Sequence, residues 1–203
     1  MLLHVPPVRA VRNMQRRRRQ RFGGARRGII ALLPAGSIGA EIGVWQGDFS
    51  DALLRRVKPQ QLHLIDPWAA VDDEVHAASR YGQATTQAQM DDLHRAVLDR
   101  FADQIGSGQV VVHRKRSDEA AIDIADASLD WVYIDGDHSY DAVLADLRNY
   151  AIKVRSGGLL IGDDFVVASW WGDSVVRAVK DFAEEQNLTV VEHSPAQFVI
   201  RLA

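Results

Sequence analysis

From Gly36 onward, short apolar runs of strand length alternate with segments whose apolar residues recur at helical spacing, and this alternation restricts the fold more than any other feature. The strand-like runs are residues 38–44, 62–65, 110–113, 129–134 and 158–161. Between them, residues 49–57, 87–101, 118–124, 140–154 and 175–185 read as helices. Met90, Leu93, Val97, Leu98 and Phe101 mark one helical face, and Val143, Leu144 and Leu147 another. A strand–helix–strand repeat needs long crossovers and so implies parallel strands. The Gly157-Gly158 pair reads as the turn that opens the fifth strand. The last two runs, 188–192 and 198–202, are joined only by residues 193–196, which include Pro195 and are too short for a crossover. They imply an antiparallel hairpin. The expectation is a doubly wound α/β fold, a mostly parallel seven-stranded sheet with an antiparallel terminal strand, in one domain over residues 35–203. Residues 1–34 form an arm before it.

The charge of the chain divides along the same boundary. Of 24 lysines and arginines, nine arginines (9, 12, 16–19, 21, 26 and 27) fall in the first forty residues, ahead of the first acid, Glu41. The net charge of −3 therefore hides a basic arm on an acidic body. Such an arm meets an anionic partner or docks on the acidic face of its own protein. It lacks serine before Ser37, unlike a transit peptide, and its apolar start is broken by Pro6-Pro7, unlike a secretory signal. No apolar run reaches the roughly 20 residues of a membrane span, so no membrane partner and a cytoplasmic location are expected. With no cysteine, disulfides, zinc-thiolate sites and cysteine nucleophiles are excluded.

In open α/β sheets, ligands bind beyond the carboxyl ends of the strands, where the strand order reverses. The first such end reads Glu41-Ile42-Gly43-Val44-Trp45-Gln46-Gly47. Its glycines permit a tight turn and close approach of a ligand, but it is neither a GxGxxG fingerprint nor a P-loop. Asp66 ends the second strand, 23 positions after Gly43, the offset at which an acid takes ribose hydroxyls. The fourth strand ends in Asp135-Gly136-Asp137-His138 and the fifth in Asp163-Asp164. Carboxylates converging there repel one another unless a cation intervenes. A set of oxygen ligands suits a hard divalent ion such as magnesium, manganese or calcium. Asp137 and Ser139 also qualify as caps of the helix near Tyr140.

These motifs together resemble class I S-adenosylmethionine-dependent methyltransferases, with a Rossmann-like fold. Within that class they are most similar to the small metal-dependent O-methyltransferases of the catechol and macrocin (sugar) types. The resemblance implies that Gly43 and Gly47 line the methionine part of the cofactor, with Glu41 near its amino group. It implies that Asp66 holds the ribose, that Ser117 or Asp118 lies by the adenine, and that Trp68 packs on it. Asp135, Asp163 and Asp164 would ligate the metal. Where the catechol type has a lysine as general base, this chain has His138, and a neutral imidazole suits that task near pH 7.

The expected activity is divalent-metal-dependent O-methylation of a small hydroxylated molecule: a phenol, a sugar or a natural-product scaffold. Residues 69–89, with Arg80 and Tyr81, form a long connection suited to a lid. Trp170-Trp171 would supply an aromatic wall. Two other readings stay open: a nucleic-acid methyltransferase whose arm tracks phosphates, and a non-catalytic cofactor-binding module. Nucleic acid is the less favoured partner, because Phe22 is the one aromatic residue of the arginine-rich stretch. A homo-oligomer stays open as well.

Overall fold

The computed structural model describes residues 26, 28–70, 86–167, 171–193 and 196–203. They form one seven-stranded sheet in the order β3-β2-β1-β4-β5-β7-β6. The strands are β1 (Ile38–Ile42), β2 (Gln61–Ile65), β3 (Val110–His113), β4 (Leu129–Ile134), β5 (Val154–Gly162), β6 (Val190–His193) and β7 (Gln197–Arg201). The first five pair in parallel, and β7 runs antiparallel to both β5 and β6. The helices are α1 (Asp48–Arg56), α2 (Gln87–Arg100), α3 (Ala102–Gly106), α4 (Ser117–Ile122), α5 (Tyr140–Ala151) and α6 (Ser174–Glu185). The doubly wound expectation holds, with the closing hairpin placing β6 at the sheet edge. Among the described residues, no helix is long and apolar enough to cross a membrane.

Both faces of the sheet are covered, and strand alternation assigns the side chains. On β4, Val132 and Ile134 join one core with Leu147, Val179 and Phe182, while Trp131 and Tyr133 join the other with Leu53, Val97 and Phe101. Successive strand residues point to opposite faces, so a fully buried strand needs apolar residues at every position. β4 meets that demand from Trp131 to Ile134, and Leu129 is buried too; Asp130 near its start is half-buried and accepts from Ile38 N–H at 2.6 Å. Gly39 makes room for Trp131, because a Cβ there would stand 2.2 Å from the indole ring.

Two expectations are revised. The Gly157-Gly158 pair does not precede β5 but lies inside it. Leu129 pairs with Val154 and Trp131 with Leu159, so the strand bulges between these points and exposes Arg155, Ser156 and Gly157. Gly157 takes φ 76°, a conformation that favours glycine. The helix expected through residue 154 accordingly ends at Ala151.

The second revision concerns the start of the chain. Ile29, Ile30 and Leu33 are buried in the core of the α1–α2 face. This stretch of the expected arm is thus built into the body.

Candidate active site

The order of the sheet reverses between β1 and β4, and the crevice opens at their carboxyl ends. Gly43 follows β1 with φ 87°, and its N–H donates to the Ile65 carbonyl at 2.9 Å. A Cβ there would lie 1.9 Å from the Asp135 carbonyl oxygen, so only glycine lets this turn rest on the backbone after β4. Asp135 N–H in turn donates to the Ile42 carbonyl at 2.9 Å. Gly47, at φ 72°, leads into α1. Trp45, between the glycines, holds φ 54° against the ordinary preference of a bulky residue.

Asp66 explains how that conformation is kept. Its carboxylate accepts from Trp45 N–H at 2.9 Å and from Trp68 N–H at 2.8 Å, tying the turn after β1 to the turn after β2. The residue is 1% exposed. Trp68 is fully buried, donates its indole N–H to the Trp45 carbonyl at 3.0 Å, and packs on His94 with ring centroids 4.8 Å apart. The structure therefore places Trp68 in the core beneath the crevice rather than on its open wall.

Glu41 is also buried, and Ser50 of α1 donates its hydroxyl to it at 2.6 Å. Burial pushes the Glu41 carboxyl up to about 8, with the Ser50 bond opposing the shift. Ser117 and Asp118 open α4 beyond β3. The Tyr150 hydroxyl donates to the Ser117 carbonyl at 2.8 Å, and Asp118 pairs with Arg116.

The three acids expected to share a cation are divided. Asp163 accepts from the Tyr133 hydroxyl at 3.0 Å and from Arg26 Nε at 3.0 Å, and Arg26 Nη2 bridges Asp163 and Asp135. The Arg26 guanidinium carbon also lies 5.0 Å from the Phe49 ring centroid and 5.6 Å from that of Tyr133. Asp164, at φ 57°, instead sits 2.6 Å from His138 Nε2. One ligand atom each from Asp135, His138 and Asp164 lies within 4.8 Å of the others. Two carboxylates and an imidazole form a donor set for a divalent cation, with His138 where Asp163 was expected.

Burial lowers the His138 imidazole, but the hydrogen bond and charge of Asp164 outweigh it, and the net shift is upward. Burial raises the Asp135 carboxyl, and the Arg26 charge opposes this. Ser139, not Asp137, caps α5: its Oγ accepts from Ala142 N–H at 3.4 Å, while Asp137 accepts from Ser139 N–H at 2.7 Å. Trp171 stands 4.8 Å from the His138 ring. Arg80, Tyr81 and Trp170 lie outside the described residues.

Arg26 is the site residue that the sequence did not single out. One signal was there: Arg26, Ile29, Ile30 and Leu33 follow i, i+3, i+4, i+7 spacing, which puts the arginine on the buried face of a helical turn.

A family model described as a methyltransferase domain matches residues 40–165, from β1 through the acid pair after β5. "Uncharacterized protein R132" of Acanthamoeba polyphaga mimivirus is 25% identical over 163 residues, covering 79% of this chain. The chain spans 64% of that relative's length. Among solved structures, the O-methyltransferase NovP aligns with a TM-score of 0.60 at 17% identity, over 86% of this chain and 74% of NovP. SMU.1697c from Streptococcus mutans, solved in complex with SAH, aligns with a TM-score of 0.54 at 13% identity, over 83% of this chain and 90% of that one. At these identities the structural likenesses speak for the fold, and the family model for the sequence. The chain belongs to the methyltransferase-domain family and carries the class I fold of S-adenosylmethionine-dependent methyltransferases.

Proposed function

We propose that this protein transfers the methyl group of S-adenosylmethionine to a hydroxyl of a small molecule at the carboxyl ends of β1, β4 and β5. The observation that carries this reading is the Asp135–His138–Asp164 cluster beside the Gly43 turn, with Trp171 against it. The methionine part of the cofactor lies along Gly43 and Gly47 near Glu41, its ribose toward Asp66, and its adenine toward Ser117 and Asp118. Asp66 stands at the end of β2, where its carboxylate links the turns after β1 and β2 through Trp45 and Trp68 N–H, and this position supports the ribose assignment. Trp68 supports this wall from below.

When bound, the cofactor supplies an electrophilic methyl group whose S–CH3 bond breaks as an O–CH3 bond forms, leaving S-adenosylhomocysteine. The chain has to hold the acceptor oxygen in line and take its proton. His138 is the base, and Asp164 fixes its ring. The Trp171 ring packs on a phenolic or sugar acceptor. With His138 left to take the proton, the carboxylates of Asp135 and Asp164 are the groups that would hold magnesium or manganese, which would lower the pKa of a bound hydroxyl.

The test is transfer of labelled methyl from S-adenosylmethionine to a panel of phenols and sugars, with and without EDTA and added magnesium. His138→Ala is expected to slow turnover by about 10²- to 10⁴-fold while S-adenosylhomocysteine binding by calorimetry stays unchanged. A variant as fast as the parent removes the base assignment. Turnover indifferent to EDTA removes the metal alone.

A further inference from the structure

The amino-acid end of S-adenosylmethionine carries a sulfonium, an ammonium and a carboxylate. The first two match a crevice lined by Asp135, Asp163 and Asp164. The carboxylate does not, because it would face the same acids at short range. Arg26 sits where this conflict arises. Its guanidinium bridges Asp135 and Asp163, and its charge reaches the buried Glu41 beside the Gly43 turn. Asp135 itself backs onto Gly43.

We propose that Arg26 is the receptor for the α-carboxylate of the cofactor, an inference that rests on the cofactor lying along Gly43 and Gly47 as above.

Four features of the arginine fit this role. A guanidinium presents five N–H donors in a planar fork matched to carboxylates. The contacts with Asp135 and Asp163 use Nε and Nη2 and none uses Nη1, so donors remain for an incoming carboxylate. The Phe49 and Tyr133 rings hold the plane of the guanidinium, which lowers the entropy lost on binding. The side chain is 24% exposed, so part of it faces open space. The same group neutralises the acids before the cofactor arrives and then screens the cofactor's carboxylate from them.

The experiment compares two ligands by isothermal titration calorimetry. S-adenosylhomocysteine carries the carboxylate, and S-adenosyl-3-thiopropylamine lacks only that group. Arg26→Gln is expected to weaken S-adenosylhomocysteine by about 10- to 100-fold, the range for a charge-assisted hydrogen bond. It is expected to bind S-adenosyl-3-thiopropylamine as tightly as the parent, or more tightly, since two carboxylates then lose their counter-ion. Arg26→Lys keeps a charge without the fork and is expected to fall between. Equal weakening of both ligands in both variants would assign Arg26 a structural role and overturn the inference, as would unchanged affinity for S-adenosylhomocysteine. A parent protein that binds neither ligand would instead overturn the cofactor placement itself. Binding of the amine ligand shows that each variant is folded.

Discussion

At the scale of single residues, burial decides the chemistry of the crevice. Glu41 is 2% exposed, and its ionised form lacks the water that stabilises carboxylates. Its folded-state value of about 8 lies above the usual range, so the protonated form is favoured in the fold. An unfolded chain ionises the same group near 4.3. Stability from this residue is therefore fully present below that value and is lost as pH rises toward 8. Glu41→Gln keeps an acceptor for the Ser50 hydroxyl and cannot ionise. Urea unfolding at pH 5 and pH 8 is expected to show the parent losing on the order of 2 kcal/mol more than the variant over this interval. Equal losses would mean that Glu41 is ionised in the fold.

At the scale of elements, β2 and β3 are joined by more than their ladder. His63 Nδ1 lies 2.9 Å from His113 Nε2, and the rings stack with centroids 5.2 Å apart. Asp123 stands 3.6 Å from His113 Nδ1 and favours a proton there, which leaves Nε2 to accept from His63. Burial, and then the neighbouring imidazole, push His63 down to about 4, and burial lowers His113 as well. The unfolded chain takes up protons below about 6.5 while the folded chain does not, so stability falls as pH drops from 6.5 toward 4. His63→Gln is expected to show a shallower fall in melting temperature over this window. Parallel curves for variant and parent would place the acid sensitivity elsewhere.

At the scale of the whole molecule, the stretch ahead of β1 is part of both the core and the crevice. Ile29 is fully buried, and Ile30 and Leu33 are 8% and 7% exposed. Losing a buried aliphatic side chain costs about 2–5 kcal/mol, against a total stability of about 5–15 kcal/mol for a typical domain. Truncation after residue 34 is expected to lower the melting temperature strongly or to abolish folding, relative to truncation after residue 25. Equal melting temperatures would show that these side chains add little. The truncation would also remove Arg26 and with it the bridge between Asp135 and Asp163.

The sequence by itself determined the order and type of the major elements, because a parallel strand buried on both faces needs an unbroken apolar run and an amphipathic helix needs its stripe. It also showed which strand ends carry acids and glycines, since in this architecture ligand-facing residues follow each strand directly. Only the tertiary structure decided how those acids are shared. Asp135, Asp163 and Asp164 are alike in sequence, but the left-handed backbone at Asp164 turns its carboxylate to His138, while Tyr133 and Arg26 hold Asp163. The resemblance implies that Trp68 packs on the adenine, whereas its contacts with Trp45 and His94 place it in the core. Arg26 lies 109 positions from Asp135 in sequence. No local pattern specifies such a contact; it exists because the side chains of Ile29, Ile30 and Leu33 must be buried, and burying them carries the arginine over the ends of β4 and β5.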